Sequence, residues 1–230
     1  NNHLNFEREI LGTLQTEICF VNTLAQKKRV IEEAKKTFNE SIISQLENII
    51  QVYHLSIPKE SIKEPSDSRY RMITFNHRTT TYKGFPKFMK WLNEFRDIRT
   101  DFELWIPLAD KKYDEHWIDT SSYSKIKYLD RLSKSLVCVV PKDKHFGWSI
   151  SGTDSMMVGT PTLFEESDNY REIFPKGLFY SNKREFFSIM NNLLDDSKYV
   201  KEWGLKSIRR AKELSNNNSI ELLRVLFNFI

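Results

Sequence analysis

The chain has 230 residues, with 35 lysines and arginines against 31 aspartates and glutamates and a formal net charge of +4. Its hydrophobic content of 40% and charged content of 29% are typical of a globular protein with one large or two small cores. No window approaches 18 consecutive apolar residues, and the mild basic excess permits contact with nucleic acid or anionic substrates without requiring it. Because the sequence opens without a basic, apolar leader, we expect a cytoplasmic protein.

The first quarter of the chain predicts a small α/β unit. Residues 1–15 are polar with scattered apolar positions and fit a short helix. The elements predicted next are a buried strand at 17–23, helices at 24–38 and 41–49, and a strand at 51–57. The stretch PKESIKEPSDS that follows has two prolines, mixed charge and no apolar period, so it predicts a linker.

Beyond this linker, strand and helix patterns alternate regularly. The predicted strands are 70–77, 101–108, 136–140, 161–165 and 177–181, and the predicted helices are 85–99, 124–134, 152–158, 183–214 and 219–230. Such alternation predicts a Rossmann-like, doubly wound parallel sheet, which binds its ligands at the carboxyl ends of the strands. The predicted fold class is therefore α/β.

One loop lies at such a strand end, in the stretch YRMITFNHRTTTYKGF. Asn76 and His77 end the strand, Arg78 and Lys83 bracket four residues, and Gly84 allows the backbone to approach a ligand closely. An amphipathic helix follows, and its N-terminus carries unpaired N–H groups and a positive dipole end. Two fixed cations beside a helix start suit a diphosphate. The alternative is that both cations are solvated surface charges.

A second motif, HFGWSISGTDSMMVGTP, follows the buried strand that ends at residue 140. The backbone N–H groups of Ser151, Gly152 and Thr153, at the predicted helix start, are candidates to hold a phosphate or a sugar. Asp154 can accept two hydrogen bonds from a vicinal diol, and its alternative role is to cap the helix. The sequence contains no dinucleotide or P-loop glycine motif, and its histidines and cysteines lack metal-ligand spacing.

The first loop resembles a known family. Arg-x4-Lys-Gly after the first strand of a second Rossmann-like domain resembles the diphosphate grip of GT-B glycosyltransferases, especially retaining ones. The sequence from Arg78 to Phe85 is also similar to the matching loop of phage enzymes that attach α-glucose to hydroxymethylcytosine in DNA. Asn76-His77-Arg78 resembles a further GT-B branch that mannosylates modified tRNA. The resemblance implies Arg78 and Lys83 as catalytic cations, a UDP-glucose-like donor, and no need for a metal or another cofactor.

The second motif resembles the Glu-Ala-Met-Ala-x-Gly-x-Pro segment of retaining GT-B enzymes. This resemblance implies that Asp154 binds the ribose, that Tyr123 packs on the base, and that Glu166 lies in the turn that binds the sugar. The sequence departs from the family at Phe146, where an acid near the transferred sugar is usual. Asp143 or His145 would fill that role only in a bulged loop.

The resemblance also implies a domain plan. Residues 1–60 correspond to a remnant of the N-terminal, acceptor-side domain, 58–68 to a linker, and 69–214 to the nucleotide-sugar domain. Residues 215–230 correspond to a helix that packs back on the N-terminal part.

The implied activity is transfer of a hexose from a nucleotide sugar, with hydroxymethylated phage DNA in the host cytoplasm as the favoured acceptor. Other implied partners are the remainder of the N-terminal domain or a partner chain, and no membrane. The alternatives are a glycan, lipid or modified tRNA acceptor, or a binding module that holds a nucleotide or nucleotide sugar without catalysis.

Overall fold

The computed structural model describes residues 2–142 and 147–215 of the chain. The elements of the first unit are α1 (Asn2–Thr13), β1 (Cys19–Val21), α2 (Leu24–Ala34), α3 (Glu40–Ile49) and β2 (Ile50–Val52). Strands β1 and β2 pair in parallel, and the helices cover them with a small apolar core of their own. Thr23 caps α2, because its hydroxyl accepts a hydrogen bond from the Gln26 N–H at 3.1 Å.

The second unit contains a parallel sheet of six strands among the described residues, in the order β5-β4-β3-β6-β7-β8. Its elements are β3 (Met72–Thr74), α4 (Phe85–Arg96), β4 (Glu103–Trp105), β5 (Ile118–Asp119), α5 (Lys125–Ser133), β6 (Val137–Val140), α6 (Ile150–Met157), β7 (Thr162–Glu165), α7 (Asp168–Ile173), β8 (Leu178–Tyr180), α8 (Lys183–Asp195) and α9 (Ser197–Ser215). The strand order reverses between β3 and β6, which is where doubly wound sheets bind their ligands.

Helices cover both faces of this sheet. Ile73 points to the core under α4 and α8, whereas its neighbour Met72 points to the core under α5, α6 and α9. The apolar stripe of α4 is buried as its spacing predicts, through Phe85, Phe88 and other residues one turn apart. The predicted fold class, a Rossmann-like α/β sheet, is therefore confirmed.

Several local predictions differ from the structure. The helix predicted over 183–214 is two helices, α8 and α9, and the helix predicted over 24–38 ends at residue 34. Helix α6 begins at Ile150 rather than residue 152, because Ser149 caps it with its side chain. A two-residue strand, β5, occupies part of a segment predicted to be a polar loop, since so short a strand shows no alternating pattern. The polar helix α7 replaces a predicted turn, because its sequence DNYREI lacks the apolar stripe that marks longer helices.

The predicted linker packs against the second unit. The Lys63 N–H donates to the Met157 carbonyl at 2.9 Å. Directly after the linker, the guanidinium of Arg69 donates to the carbonyls of Ser133, Ser135 and Gly159, and burial lowers the pKa of Arg69 to about 10. The domain division itself stays a prediction, and the predicted C-terminal helix lies outside the described residues beyond Ser215. None of the described helices has the length and apolarity needed to cross a bilayer.

Candidate functional site

A cavity of about 290 Å³ opens at the carboxyl edge of the six-stranded sheet. Its lining residues come from the loop after β3, the loop after β4, the start of α6 and helix α7: Asn76, His77, Arg78, Tyr82, Lys83, Leu108, Trp148, Ser149, Ile150, Ser151 and Tyr170. This position is the one that the alternating elements predict for a ligand. Four of the predicted site residues, Asn76, His77, Arg78 and Lys83, therefore share one cavity.

Asn76 joins the end of β3 to the start of α6. Its side-chain N–H groups donate to the Tyr128 hydroxyl at 2.8 Å and to the Ser151 carbonyl at 3.1 Å, while its Oδ1 accepts from the Cys138 thiol at 3.0 Å. The Ser151 hydroxyl returns a bond to the Asn76 carbonyl at 2.6 Å. Asn76 is only 2% exposed, so this buried network positions the cavity wall and leaves the amide little capacity for a ligand.

The groups around Asn76 are held in their neutral forms. Burial, and then the charge of the nearby Asp154 carboxylate, raise the pKa of Tyr128 well above its usual range. Burial raises the pKa of the Cys138 thiol to about 12. The network therefore keeps its protons at physiological pH.

The loop that follows β3 presents two cations to the cavity. Arg78 is exposed at the rim and makes no hydrogen bond or ion pair with any described residue. A short 3-10 turn, Thr81–Lys83, carries the half-buried Lys83, whose ammonium lies 5.4 Å from the centre of the Tyr82 ring. Because both side chains line one cavity, an anion bound there would contact two positive charges.

Gly84 makes the sharp turn from this loop into α4. Its φ of +73° lies in the left-handed region, which favours glycine. A Cβ atom at this position would also lie 2.8 Å from the Cβ of Pro141. The side chain of any other residue would therefore strain the backbone and collide with the loop after β6.

We expect Gly84→Ala to lower the free energy of unfolding by about 2 kcal/mol, through left-handed strain and this contact. Chemical denaturation of the purified variant measures the change. A Cβ atom at Gly12, in the last turn of α1, would meet nothing within 4 Å, so Gly12→Ala is the matched control and should be at least as stable as wild type. If the Gly84→Ala variant were as stable as wild type, Gly84 would not be needed for the left-handed turn or for the close approach to Pro141.

The backbone N–H groups at the start of α6 are not all available to a ligand, in contrast to the prediction. The Gly152 N–H donates to the Ser149 hydroxyl at 3.0 Å, and the Thr153 N–H donates to the Ser149 carbonyl at 3.0 Å. These two amides are thus used within the helix, and neither residue lines the cavity. Ile150 and Ser151, one and two positions after the cap, are the helix-start residues that do line it.

Asp154 lies on the second turn of α6 and is not the cap of that helix, since Ser149 has that role. Its Oδ2 lies 2.8 Å from the Lys125 ammonium, and its side chain is 15% exposed. It does not line the cavity, although Tyr128 links its surroundings to Asn76. Asp154 therefore adjoins the network around Asn76 but does not share the cavity with Arg78 and Lys83.

Two other predicted site residues lie elsewhere. Tyr123 lines a separate cavity of about 920 Å³, where its hydroxyl accepts a bond from the Arg131 guanidinium at 2.6 Å. Glu166 is paired with Arg171 at 2.5 Å and does not line the smaller cavity. The positions considered for the donor-sugar acid, 143, 145 and 146, are outside the described residues.

Sequence reasoning missed several cavity residues. Trp148 is 8% exposed, and its indole N–H is buried without a hydrogen-bond acceptor in the described part of the chain. Tyr170 donates from its hydroxyl to the Pro141 carbonyl at 3.0 Å, which fixes the loop after β6. The serine before a helical run was a usable signal for Ser149 as a cap. No local pattern marks Trp148, Tyr170 or Leu108, since only the fold brings them together.

Within residues 2–142 and 147–215, no three His, Cys, Asp or Glu side chains cluster in a way that could hold a metal ion. The positive charge at this cavity is instead supplied by Arg78 and Lys83. The site thus combines a parallel-sheet edge, two cations and the start of a helix, an arrangement suited to phosphate groups.

The structural neighbours of this chain are GT-B glycosyltransferases, and the chain has their α/β fold. The pneumococcal O-GlcNAc transferase GtfA, solved in complex with UDP and GlcNAc, matches 98% of this chain with a TM-score of 0.75 and 13% identity. Anabaena HepE, solved in complex with UDP and glucose, matches 99% with a TM-score of 0.75 and 9% identity. TarM matches 96% with a TM-score of 0.74 and 12% identity.

The chain spans about half the length of two of these proteins, with 47% of GtfA and 45% of TarM covered, and 67% of HepE. The sequence matches no protein-family profile, and no curated protein sequence is detectably similar to it. At these levels of identity the likeness establishes the fold alone.

Proposed function

We propose that this chain is the nucleotide-sugar-binding part of a glycosyltransferase, with a UDP-hexose such as UDP-glucose as the donor. The observation that carries the proposal is the convergence of Arg78 and Lys83 on one cavity at the carboxyl edge of a parallel sheet. The neighbours GtfA and HepE were each solved with UDP, which favours uridine over other nucleosides.

The proposed role of the two cations is stabilisation of the leaving group. As the bond between the sugar carbon and the phosphate oxygen breaks, its electron pair stays on the oxygen and negative charge grows on the diphosphate. Fixed donors aimed at developing charge accelerate such a step. Arg78 supplies a planar fork of donors at the rim, and Lys83 supplies a point charge beside it. We propose the retaining stereochemical course, which the Arg-x4-Lys-Gly spacing favours.

Titration calorimetry with UDP, UDP-glucose and GDP tests the donor. We expect UDP-glucose and UDP to bind more tightly than GDP. A variant that lacks both Arg78 and Lys83 should give no binding heat. Absence of binding by all three nucleotides would overturn the proposal. The readout needs no acceptor.

Asp154 is the proposed ribose ligand, and pyrophosphate isolates its contribution because it lacks the ribose. We expect Asp154→Asn to weaken UDP binding about tenfold, roughly the loss of one hydrogen bond to a charged group, and to leave pyrophosphate binding unchanged. Arg78→Ala should weaken both ligands. Calorimetry measures the two affinities, with Lys125→Ala as the control that breaks the ion pair of Asp154 without removing its carboxylate. Equal losses for both ligands in Asp154→Asn would rule out a ribose contact.

For the acceptor, we propose hydroxymethylated DNA, because the loop from Arg78 to Phe85 is similar to that of phage DNA α-glucosyltransferases. The basic balance of the chain is compatible with a polyanionic acceptor. Such an enzyme would act in the host cytoplasm on a base turned out of the duplex. A release assay for free UDP, run with hydroxymethylated and with unmodified duplex DNA, tests this; equal release with both would exclude the modified base as the acceptor.

A second candidate is a module that binds a nucleotide sugar without transferring it. Two observations favour it: Phe146 stands where the family usually has an acid, and Asp154 is engaged by Lys125. Binding of UDP-glucose by the complete protein, without UDP release or sugar transfer to DNA, glycan, lipid or tRNA, would identify the module.

A further inference from the structure

Glu172 joins helix α7 of the second unit to the first unit. Its carboxylate accepts from the Leu24 N–H, at 2.8 and 2.9 Å to its two oxygens, and from the Ala25 N–H at 3.3 Å. The same carboxylate lies 2.6 Å from Nε2 of His54, which follows β2. A carboxylate is favourable at the start of a helix, where backbone N–H groups lack partners within the helix.

Helix α7 is itself fixed within the second unit. Arg210 of α9 donates to the carbonyls of Ile173 at 2.6 Å and of Glu172 at 3.2 Å. On the other side, Asn169 donates to the Gly147 carbonyl at 3.0 Å and thereby holds the segment that precedes α6. The Glu172 side chain, 21% exposed, therefore reaches the first unit from an anchored base.

His54 connects Glu172 to the cavity. Its ring centre lies 5.8 Å from that of Trp148, at an angle of 38°. Trp148 is buried and lines the cavity beside Ser149, the residue that caps α6. A continuous series of contacts thus runs from the start of α2 through Glu172 and His54 to the cavity wall.

We propose that Glu172 is a positioning residue: it holds His54 of the first unit against Trp148 and so sets the wall of the nucleotide cavity. The ligand class, a nucleoside diphosphate, rests on the proposed function. Glu172 does not line that cavity, so it acts through His54 and Trp148. Binding of nucleotide and the placement of the first unit are then coupled.

The coupling has a signature that needs no nucleotide. The indole N–H resonance of Trp148, assigned with Trp148→Phe, should shift in Glu172→Ala and in His54→Ala. His54→Ala keeps the carboxylate at the start of α2 and removes only the ring beside Trp148. Asp168→Asn removes a neighbouring exposed charge of α7 and serves as the matched control, with an unchanged resonance.

UDP affinity provides the second readout. We expect Glu172→Ala and His54→Ala each to raise the Kd for UDP about tenfold, a factor typical of coupled sites. The double variant should lose no more than either single variant, because both break the same series of contacts. Glu172→Gln keeps the size of the side chain and should recover part of the loss.

Several outcomes would overturn the proposal. These are an unshifted Trp148 resonance in Glu172→Ala, additive losses in the double variant, or full UDP affinity in Glu172→Ala. A wild-type chain that binds no UDP would instead contradict the proposed function, while the indole resonance still decides whether Glu172 positions Trp148. Thermal unfolding of each variant separates either result from loss of the fold.

Discussion

Arg78→Ala and Lys83→Ala are each expected to lower sugar transfer by the complete protein by two to three orders of magnitude while leaving the fold intact. Removing one preorganised donor from a site of developing charge typically costs about 2.7 to 4 kcal/mol of transition-state stabilisation. Both side chains line the cavity, and neither belongs to the buried cores. The loss should therefore fall on turnover, with little change in the free energy of unfolding.

Steady-state kinetics with saturating acceptor measures the effect, and thermal unfolding checks the fold. Lys90→Ala, which removes an exposed cation from α4 away from the cavity, is the matched control and should keep wild-type turnover. Arg78→Lys keeps the charge but loses the planar fork, so we expect an intermediate loss. Wild-type turnover in either alanine variant would remove the main support for the proposed function.

Asn76→Leu is expected to combine a large loss of stability with loss of nucleotide binding. Leucine has a similar volume but removes the amide that bonds the Tyr128 hydroxyl, the Cys138 thiol and the Ser151 carbonyl, although the carbonyl keeps a further bond from the Ser155 hydroxyl. Buried polar groups left unpaired cost about 1 to 3 kcal/mol each, so we expect a total of about 3 kcal/mol after relaxation. For a chain of this size that corresponds to a fall in Tm of roughly 6 to 12 °C.

The comparison that makes this prediction specific is Tyr128→Phe. It removes one hydroxyl from the same network and should cost about 1 to 2 kcal/mol, because the hydrogen bond from the Asn76 amide is lost together with the interaction between the hydroxyl and the Asp154 carboxylate. Differential scanning calorimetry gives both values, and UDP titration at low temperature tests whether the cavity wall has moved. If Asn76→Leu unfolds at the wild-type temperature, the network does not hold β3 to α6.

The periodic features of the sequence were sufficient to predict the architecture. Helix α4 has an apolar stripe with a period of 3.6 residues, and strand β6 is apolar throughout. Both patterns reflect which side chains are buried, so they can be read directly from the sequence. The rule that ligands bind at carboxyl strand ends then placed Asn76, His77, Arg78 and Lys83 at one edge. These four residues are close in sequence, so their proximity required no knowledge of long-range packing.

Other parts of the site depend on contacts between distant segments. Ser151 is 75 positions from Asn76 along the chain, and Trp148 meets His54 from the other unit. Tyr123 precedes a helix as predicted, yet its hydroxyl is engaged by Arg131, which holds it in a different cavity. A resemblance between motifs gives the order of residues and not the direction of each side chain.

By itself the sequence determined the α/β class, the strand-loop-helix element with its two cations, and the resemblance to GT-B enzymes, because these reside in short-range periodicity and spacing. Only the tertiary structure decided that Asp154 is paired with Lys125 and that Glu172 connects the two units, since the partners in each pair are far apart along the chain. Each of these is a choice among several hydrogen-bond partners of similar chemistry. Such a choice is made by the packing of whole elements, which no local window of residues contains.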